Sequence, residues 1–375
     1  MKNFLRWALK VILALVIVAF LILAAGFFAV RFGLTNVAGE ENSDSFEYNL
    51  EAKKDAVIIV DESKKLPVIE SIYGPNEKAN RCKIEVASRY NDYVTAAILK
   101  TYLDTKSEVL LDKMLLAMKL RLPARQLFGE EIDNCELNSG NPLGLDQLSV
   151  SLASTTDANI YTWQNGEPWQ IIREAIIKDQ ASINDAALAT GVQPRLLLSV
   201  AIVEQLRLYY TQRELFEKFF KPLKILATAN KMAWGVMSIK EDMAISTENY
   251  LVDPTSDFYP GDQYKNLLDF PPGADKTVER YNRLTDSHNH YYSYLYGALI
   301  IKELESQWQK KGYNINYRPE IIATLFNIGF SHSVPKDEPL VGGSTLDIGG
   351  EKYFFGSLAY EFYYSGELAT EFPFK

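Results

Sequence analysis

One carboxylic acid stands out by its surroundings. Residues Pro194 to Tyr210 read PRLLLSVAIVEQLRLYY, and Glu204 is the first acidic residue in that run. On a helix, Val200 and Ala201 lie one turn below it and Leu208 one turn above. An ionised carboxylate among apolar groups is costly, so such an acid is expected to keep its proton toward neutral pH. A protonated carboxylic acid is what scission of a glycosidic bond requires, because the leaving oxygen must receive a proton. The same side chain has a second option, pairing at a solvent edge with Arg207 three residues on. Both readings are open on these residues alone. Glu241 and Asp242 are the nearest candidates for a partner acid, and they read as solvated charges at a helix N-terminus.

Other chemistry finds less support. His288 and His290 are two apart, which puts them on different helix faces, and His332 is distant in sequence, so no metal site and no cofactor is expected. No Gly-x-Ser-x-Gly elbow, phosphate loop or His-Glu-x-x-His pattern occurs. The net charge of -9 gives no electrostatic reason to bind nucleic acid. Cys82 and Cys135 are the only cysteines. In an oxidising compartment they can pair, but sequence does not show whether their backbones approach closely enough.

Three segments together carry a resemblance. GVQPRLLLSVAIVEQ, then WGVMSI, then IIATLFNIGF occur in this order. They resemble the three signatures of lysozyme-like lytic transglycosylases, glycoside hydrolase family 23, over roughly residues 165–335. The resemblance implies that Glu204 is the catalytic acid, that Gly235 to Ile239 form the second motif, and that Thr324 to Gly329 form the third. It further implies cleavage of the MurNAc–GlcNAc bond of peptidoglycan by a single glutamate. That residue acts first as acid on the glycosidic oxygen and then as base on the sugar 6-hydroxyl, leaving a 1,6-anhydro end. Substrate contacts are expected from Trp234, Gly235, Met237, Ser238, Phe326 and Asn327. Trp234 offers either a flat face to a sugar or a core ring, and Asn327 either an amide for an N-acetyl group or a polar helix end. The chain departs from the pattern where Gln205 replaces Ser, Ser238 replaces Gln and Phe326 replaces Tyr. The interval between Glu204 and Gly235, which contains LFEKFFKPLK, is also longer than usual. These departures keep a second reading alive: an inactive lysozyme-like glycan-binding or scaffold protein of an envelope assembly.

The elements that must position these residues can be read along the chain. Residues 1–10 carry Lys2, Arg6 and Lys10, and 11–30 read VILALVIVAFLILAAGFFAV without a charge. Twenty residues at about 1.5 Å each span roughly 30 Å, the thickness of a bilayer core. Basic residues before the run and Glu40, Glu41, Asp44 and Glu47 after it place the N-terminus in the cytoplasm and the remainder outside the inner membrane. The competing reading, a cleaved signal peptide, needs a shorter apolar core. A polar linker is expected over 31–55 and a membrane-proximal helical region, with a strand at Ala56 to Val60, over 56–150. The lysozyme-like domain spans 160–375. Two helices are expected between Ser88 and Leu122, stopped by Pro123. Further helices are expected from Glu167 to Asp179, from a cap among Ser182, Asn184 and Asp185 to Gly191, from Pro194 to Tyr210, and over 211–230, 240–250, 287–310, 319–328 and 357–365. STLDI and KYFF form a hairpin around Gly349-Gly350. The expected fold is therefore mainly α, with a transmembrane helix, a small α(+β) membrane-proximal region, a lysozyme-like α-helical domain and one short C-terminal β-hairpin.

Overall fold

The computed structural model describes residues 76–137, 159–210 and 234–374, together with isolated positions between 10 and 25, residues 40–41 and residue 152. The expected linker, the strand at Ala56 to Val60 and the helix over 211–230 lie outside the described residues. So does most of the 11–30 run. Among the described residues no helix is long and apolar enough to cross a membrane.

Among the described residues the chain is mainly helical, with twelve α-helices and four short strands. The first four helices are α1 (Glu77–Ser88), α2 (Asp92–Thr105), α3 (Glu108–Lys119) and α4 (Arg125–Leu137). Local chemistry sets their limits. The Asn91 side chain accepts from the Val94 amide at 3.0 Å and starts α2, and Ser107 accepts from Leu110 at 3.2 Å and starts α3. Pro123 falls in the break between α3 and α4. Cys82 of α1 and Cys135 of α4 form a disulfide with a Cα separation of 5.6 Å. It closes a loop of 53 residues, which on chain-entropy grounds stabilises by about 4 kcal/mol. We expect Cys82→Ser with Cys135→Ser to lose up to that amount in urea unfolding, with α2 and α3 still helical by circular dichroism.

The remaining helices are α5 (Glu167–Lys178), α6 (Gln180–Thr190), α7 (Pro194–Tyr210), α8 (Glu241–Tyr250), α9 (Lys276–Thr285), α10 (Tyr291–Lys310), α11 (Pro319–Ile328) and α12 (Phe355–Tyr364). Ser182, Asn184 and Asp185 lie inside α6 and do not cap it; the helix runs on almost directly from α5, with Asp179 at the join. Gly191, with φ 69°, ends it. Helix α7 is apolar around its circumference because it is the central post. Helices α5, α6, α10, α11 and α12 and strand β3 all pack on it. Its residues from Arg195 to Glu204 are all buried.

Strands β1 (Glu40–Glu41) and β2 (Gly342–Gly343) pair antiparallel. Strands β3 (Thr345–Ile348) and β4 (Glu351–Phe354) form the expected hairpin, with Ile348 opposite Glu351. Gly349 and Gly350 both have positive φ, as a two-residue turn of this hand requires. Leu346 and Ile348 point inward, while Thr345 and Asp347 are exposed.

The early helices and the later ones share one hydrophobic core. A Cβ at Gly366 would stand 2.9 Å from the Ala97 Cβ of α2, so the turn after α12 seats directly on that helix. Arg121, after α3, pairs with the buried Glu361 of α12. Its guanidinium lies 3.8 Å over the Tyr353 ring. The tail beyond the hairpin thus caps the fold, since every residue of α12 is buried.

Glu361 gives this seam a pH dependence. Burial pushes its carboxyl up to about 7, against the opposing pull of Arg121. An acid whose folded value exceeds its unfolded value stabilises most at low pH, and that contribution is lost as pH rises from about 4.5 through 7. The window corresponds to about 3 kcal/mol. We expect Glu361→Gln to be close to wild type near pH 5 and more stable than wild type at pH 8, measured by urea unfolding at both values. A difference independent of pH would show that Glu361 does not titrate in this range.

Candidate functional site

Glu204 lies in the fourth turn of α7, where it is 3 % exposed. Burial was the first expectation for it, and pairing with Arg207 was the alternative; the structure has both at once. Arg207 donates to one carboxylate oxygen from Nη2 at 2.5 Å and from Nε at 3.0 Å. Glu204 is thus buried, and Arg207 is half-buried beside it. A guanidinium joins the apolar neighbours that the sequence supplied.

The next residue explains one departure from the resemblance. Gln205 Nε2 donates to the Val236 carbonyl at 2.6 Å. The first and second motifs are thereby tied together beside the acid, a bond that the short hydroxyl of serine would not span. The second motif is a tight reverse turn. Trp234 and Ile239 exchange backbone hydrogen bonds at 2.8 and 3.0 Å, and the Ser238 amide donates to Gly235 O at 3.1 Å. Gly235 has φ 71°, and a Cβ there would meet Leu284 O at 2.2 Å. Only glycine fits. Ser238 also has a positive φ of 49°.

Helix α10 holds this turn from below. The Met237 amide donates to Ser293 Oγ at 3.3 Å. The Met237 side chain lies on Gly297, where an added Cβ would stand 2.5 Å from its terminal carbon. This close approach is why the tyrosine-rich helix carries a glycine in mid-length. Of its tyrosines, Tyr294 and Tyr296 are buried and Tyr291 and Tyr292 half-buried. Tyr294 donates to Asp179 at 2.9 Å, and His290 meets the same carboxylate at 2.7 Å.

The third motif lies on α11. Phe326 is 3 % exposed and belongs to the core. Asn327 is half-buried, and its side-chain oxygen accepts from the amide and the hydroxyl of Ser344 at 2.8 and 2.9 Å. Thr324 accepts from the Gly342 amide at 3.0 Å. Both side chains fix the chain that leads into β3, so the carbonyl of Asn327 is already engaged.

The predicted sugar contacts therefore divide. Trp234 is 2 % exposed and stands edge-on to Tyr281 with centroids 5.4 Å apart. Its ring offers no open face, and Met237 and Phe326 are likewise enclosed. Gly235, Ser238 and Asn327 keep partial exposure. The interval 211–233, which follows α7 directly, lies outside the described residues.

Two further acids are buried: Glu241, expected as a solvated charge, and Glu303, for which the sequence raised no expectation. Glu241 is not a solvated terminal charge: it is buried, 3.7 Å from Arg280, and burial raises its carboxyl above the usual range. Glu303 on α10 is fully buried with neither oxygen hydrogen-bonded among the described residues, and burial holds its carboxyl well above the usual range. Its sequence context, LIIKELES, carries the same signal that marked Glu204. Among the described residues no cluster of three His, Cys, Asp or Glu side chains is arranged to hold a metal ion.

In comparisons with known proteins, no family model, no curated protein and no solved structure matches this chain.

Proposed function

We propose that this chain is a membrane-anchored lytic transglycosylase of lysozyme-like architecture, tethered through residues 11–30 and acting on peptidoglycan glycan strands outside the inner membrane. The observation that carries the reading is the junction at Glu204. A buried carboxyl on the central helix is followed by Gln205, which binds the Gly235–Ser238 turn, so that an acid and a strained backbone turn share one locus. The Cys82–Cys135 bond supports an oxidising, extracytoplasmic setting.

In this reading the Glu204 carboxyl gives its proton to the glycosidic oxygen as the C1–O bond breaks. The substrate's acetamido group stabilises the positive charge at C1. The 6-hydroxyl then attacks C1 and returns its proton to Glu204, closing the 1,6-anhydro ring. No second carboxylate and no external water enter. Arg207 must release the carboxylate, which takes up a proton from solvent before the first transfer; Ser238 and the amide nitrogen of Asn327 are then offered to the sugar.

One observation favours the second reading, a non-catalytic glycan-binding or scaffold protein of an envelope complex. Arg207 meets Glu204 through two donors, an arrangement suited to a fixed ion pair. Incubating the full-length protein with purified sacculi and analysing the products by mass spectrometry separates the two. Anhydro ends that disappear in Glu204→Gln support the enzyme. Sacculus binding with no released product supports the scaffold.

A further inference from the structure

A polar cleft lies away from Glu204, at the seam between the early helices and the rest of the fold. Its volume is about 370 Å³, within the range of small-molecule sites, about 300–1,000 Å³. It opens where Tyr93 of α2 faces the first turns of α5 and the segment after α12.

Its walls are built from carboxamides. Asn159, Gln164, Asn165 and Gln170 all line it. Two of these are structural. Asn159 holds Gln164, accepts from the Tyr161 amide at 2.9 Å, and accepts through its backbone carbonyl from Asn165 at 2.7 Å. Gln164 is 7 % exposed, and its Nε2 has no hydrogen-bond partner among the described residues. A buried donor without a partner is uncommon in a folded protein. At the rim, Asn165 and Gln170 are exposed. Arg173 and Glu367 stand 3.9 Å apart, an ion pair too long for a hydrogen bond. Tyr93 is 43 % exposed and presents its ring at the same mouth.

This chemistry narrows the ligand. The opposite charges of Arg173 and Glu367 offset one another, so the cleft selects neither anions nor cations. Carboxamides offer donors and acceptors in equal measure, which matches vicinal hydroxyls and N-acetyl groups. An exposed aromatic ring supplies the apolar face that a pyranose stacks on. We propose that this cleft binds a neutral, N-acetylated saccharide unit of a glycan, gripped by Asn165, Gln170 and Arg173 against Tyr93. The site is independent of whether Glu204 cleaves anything. It would hold a strand at a point fixed relative to the central helix.

The test uses the full-length protein in a detergent without a sugar headgroup, titrated with the tetramer of β-1,4-linked N-acetylglucosamine and followed by tryptophan fluorescence and saturation-transfer NMR. Saturable binding is expected, weakened about tenfold or more by Gln170→Ala with Arg173→Ala. Circular dichroism and thermal unfolding of the double variant should match wild type, because both side chains lie at the rim. Binding equal in wild type and the double variant would overturn the proposal, as would competition by a stem tetrapeptide that lacks sugar. Failure of the cleavage reading looks different: it leaves tetramer binding intact while no anhydro product forms from sacculi.

Discussion

Glu204→Gln should abolish release of anhydro-ended muropeptides from sacculi, by at least 10³-fold, while leaving the fold intact. Acid and base catalysis each contribute typically 10²–10⁴-fold, and in the single-glutamate scheme one residue performs both steps. The amide preserves shape and can still accept from Arg207, so thermal stability should change little compared with the activity. Arg207→Gln gives the complementary result. If the guanidinium is only a resting partner that must withdraw, its removal leaves measurable turnover with an altered pH profile. If both variants and the wild type release nothing while the wild type pulls down sacculi, Glu204 and Arg207 are a structural pair, and the scaffold reading replaces the enzyme.

The second large effect concerns a residue with no part in that chemistry. Arg195 sits in the first turn of α7 and is 1 % exposed. Its Nε donates to Tyr363 O at 2.7 Å, and Nη2 to Phe362 O at 3.1 Å. Nη1 donates to Glu367 O at 2.8 Å and to Phe372 O at 3.2 Å. Phe362 and Tyr363 belong to the last turn of α12, where carbonyls run out of i+4 amides; Phe362 O also accepts from the Ser365 amide and hydroxyl at 3.2 and 2.9 Å. One guanidinium thus caps that helix, complements its dipole and pins the C-terminal segment. The Phe374 ring lies 4.2 Å from the guanidinium carbon. Burial lowers the guanidinium to about 10, still charged at neutral pH. Arg195→Met should destabilise by about 3–5 kcal/mol, since it leaves several buried carbonyls without donors. Deleting residues 367–375 should have a similar effect. The double change should fall well short of additivity, because both remove the same bonds. Urea unfolding of the three variants checks this; full additivity would mean that the guanidinium and the tail act separately.

Much of the fold was legible because its signals are local. Pro194 at the first position of α7, Gly191 after α6 and the Gly349-Gly350 turn each act within a few residues, and the helix and hairpin they bound are present. The run Pro194–Tyr210 was recognisable as buried because it has no polar face. What escaped were features that depend on partners far away in the chain. Arg195 reads as an ordinary charge in PRLLL until the tail folds back on it. Arg121 and Glu361 are 240 residues apart, and no periodicity links them. The short helix α9 was missed because its pattern is mostly polar: Arg280 and Arg283 are buried through ion pairs and backbone carbonyls, not through apolar contacts. At the candidate site, the Met237 side chain is expected as a groove wall and the Trp234 ring as either groove or core; both are buried. The positive φ values of Gly235 and Ser238 turn them into the core. The substitution at 205, read as a departure, has a role in the structure as the bond to Val236.

The clamp at Arg195 has a bearing on biogenesis. Its acceptors lie 167 to 177 residues later in the chain, so the post is made well before the segment that steadies it. At roughly 5–20 residues per second, the ribosome needs on the order of 10–35 s to travel from codon 195 to codon 372. Throughout that interval the nascent polypeptide has its central post without the strap that locks it. A chain cut short before Glu367 would keep most of its apolar content yet lack the Glu367 and Phe372 acceptors of this closure, and would be exposed to quality-control proteolysis.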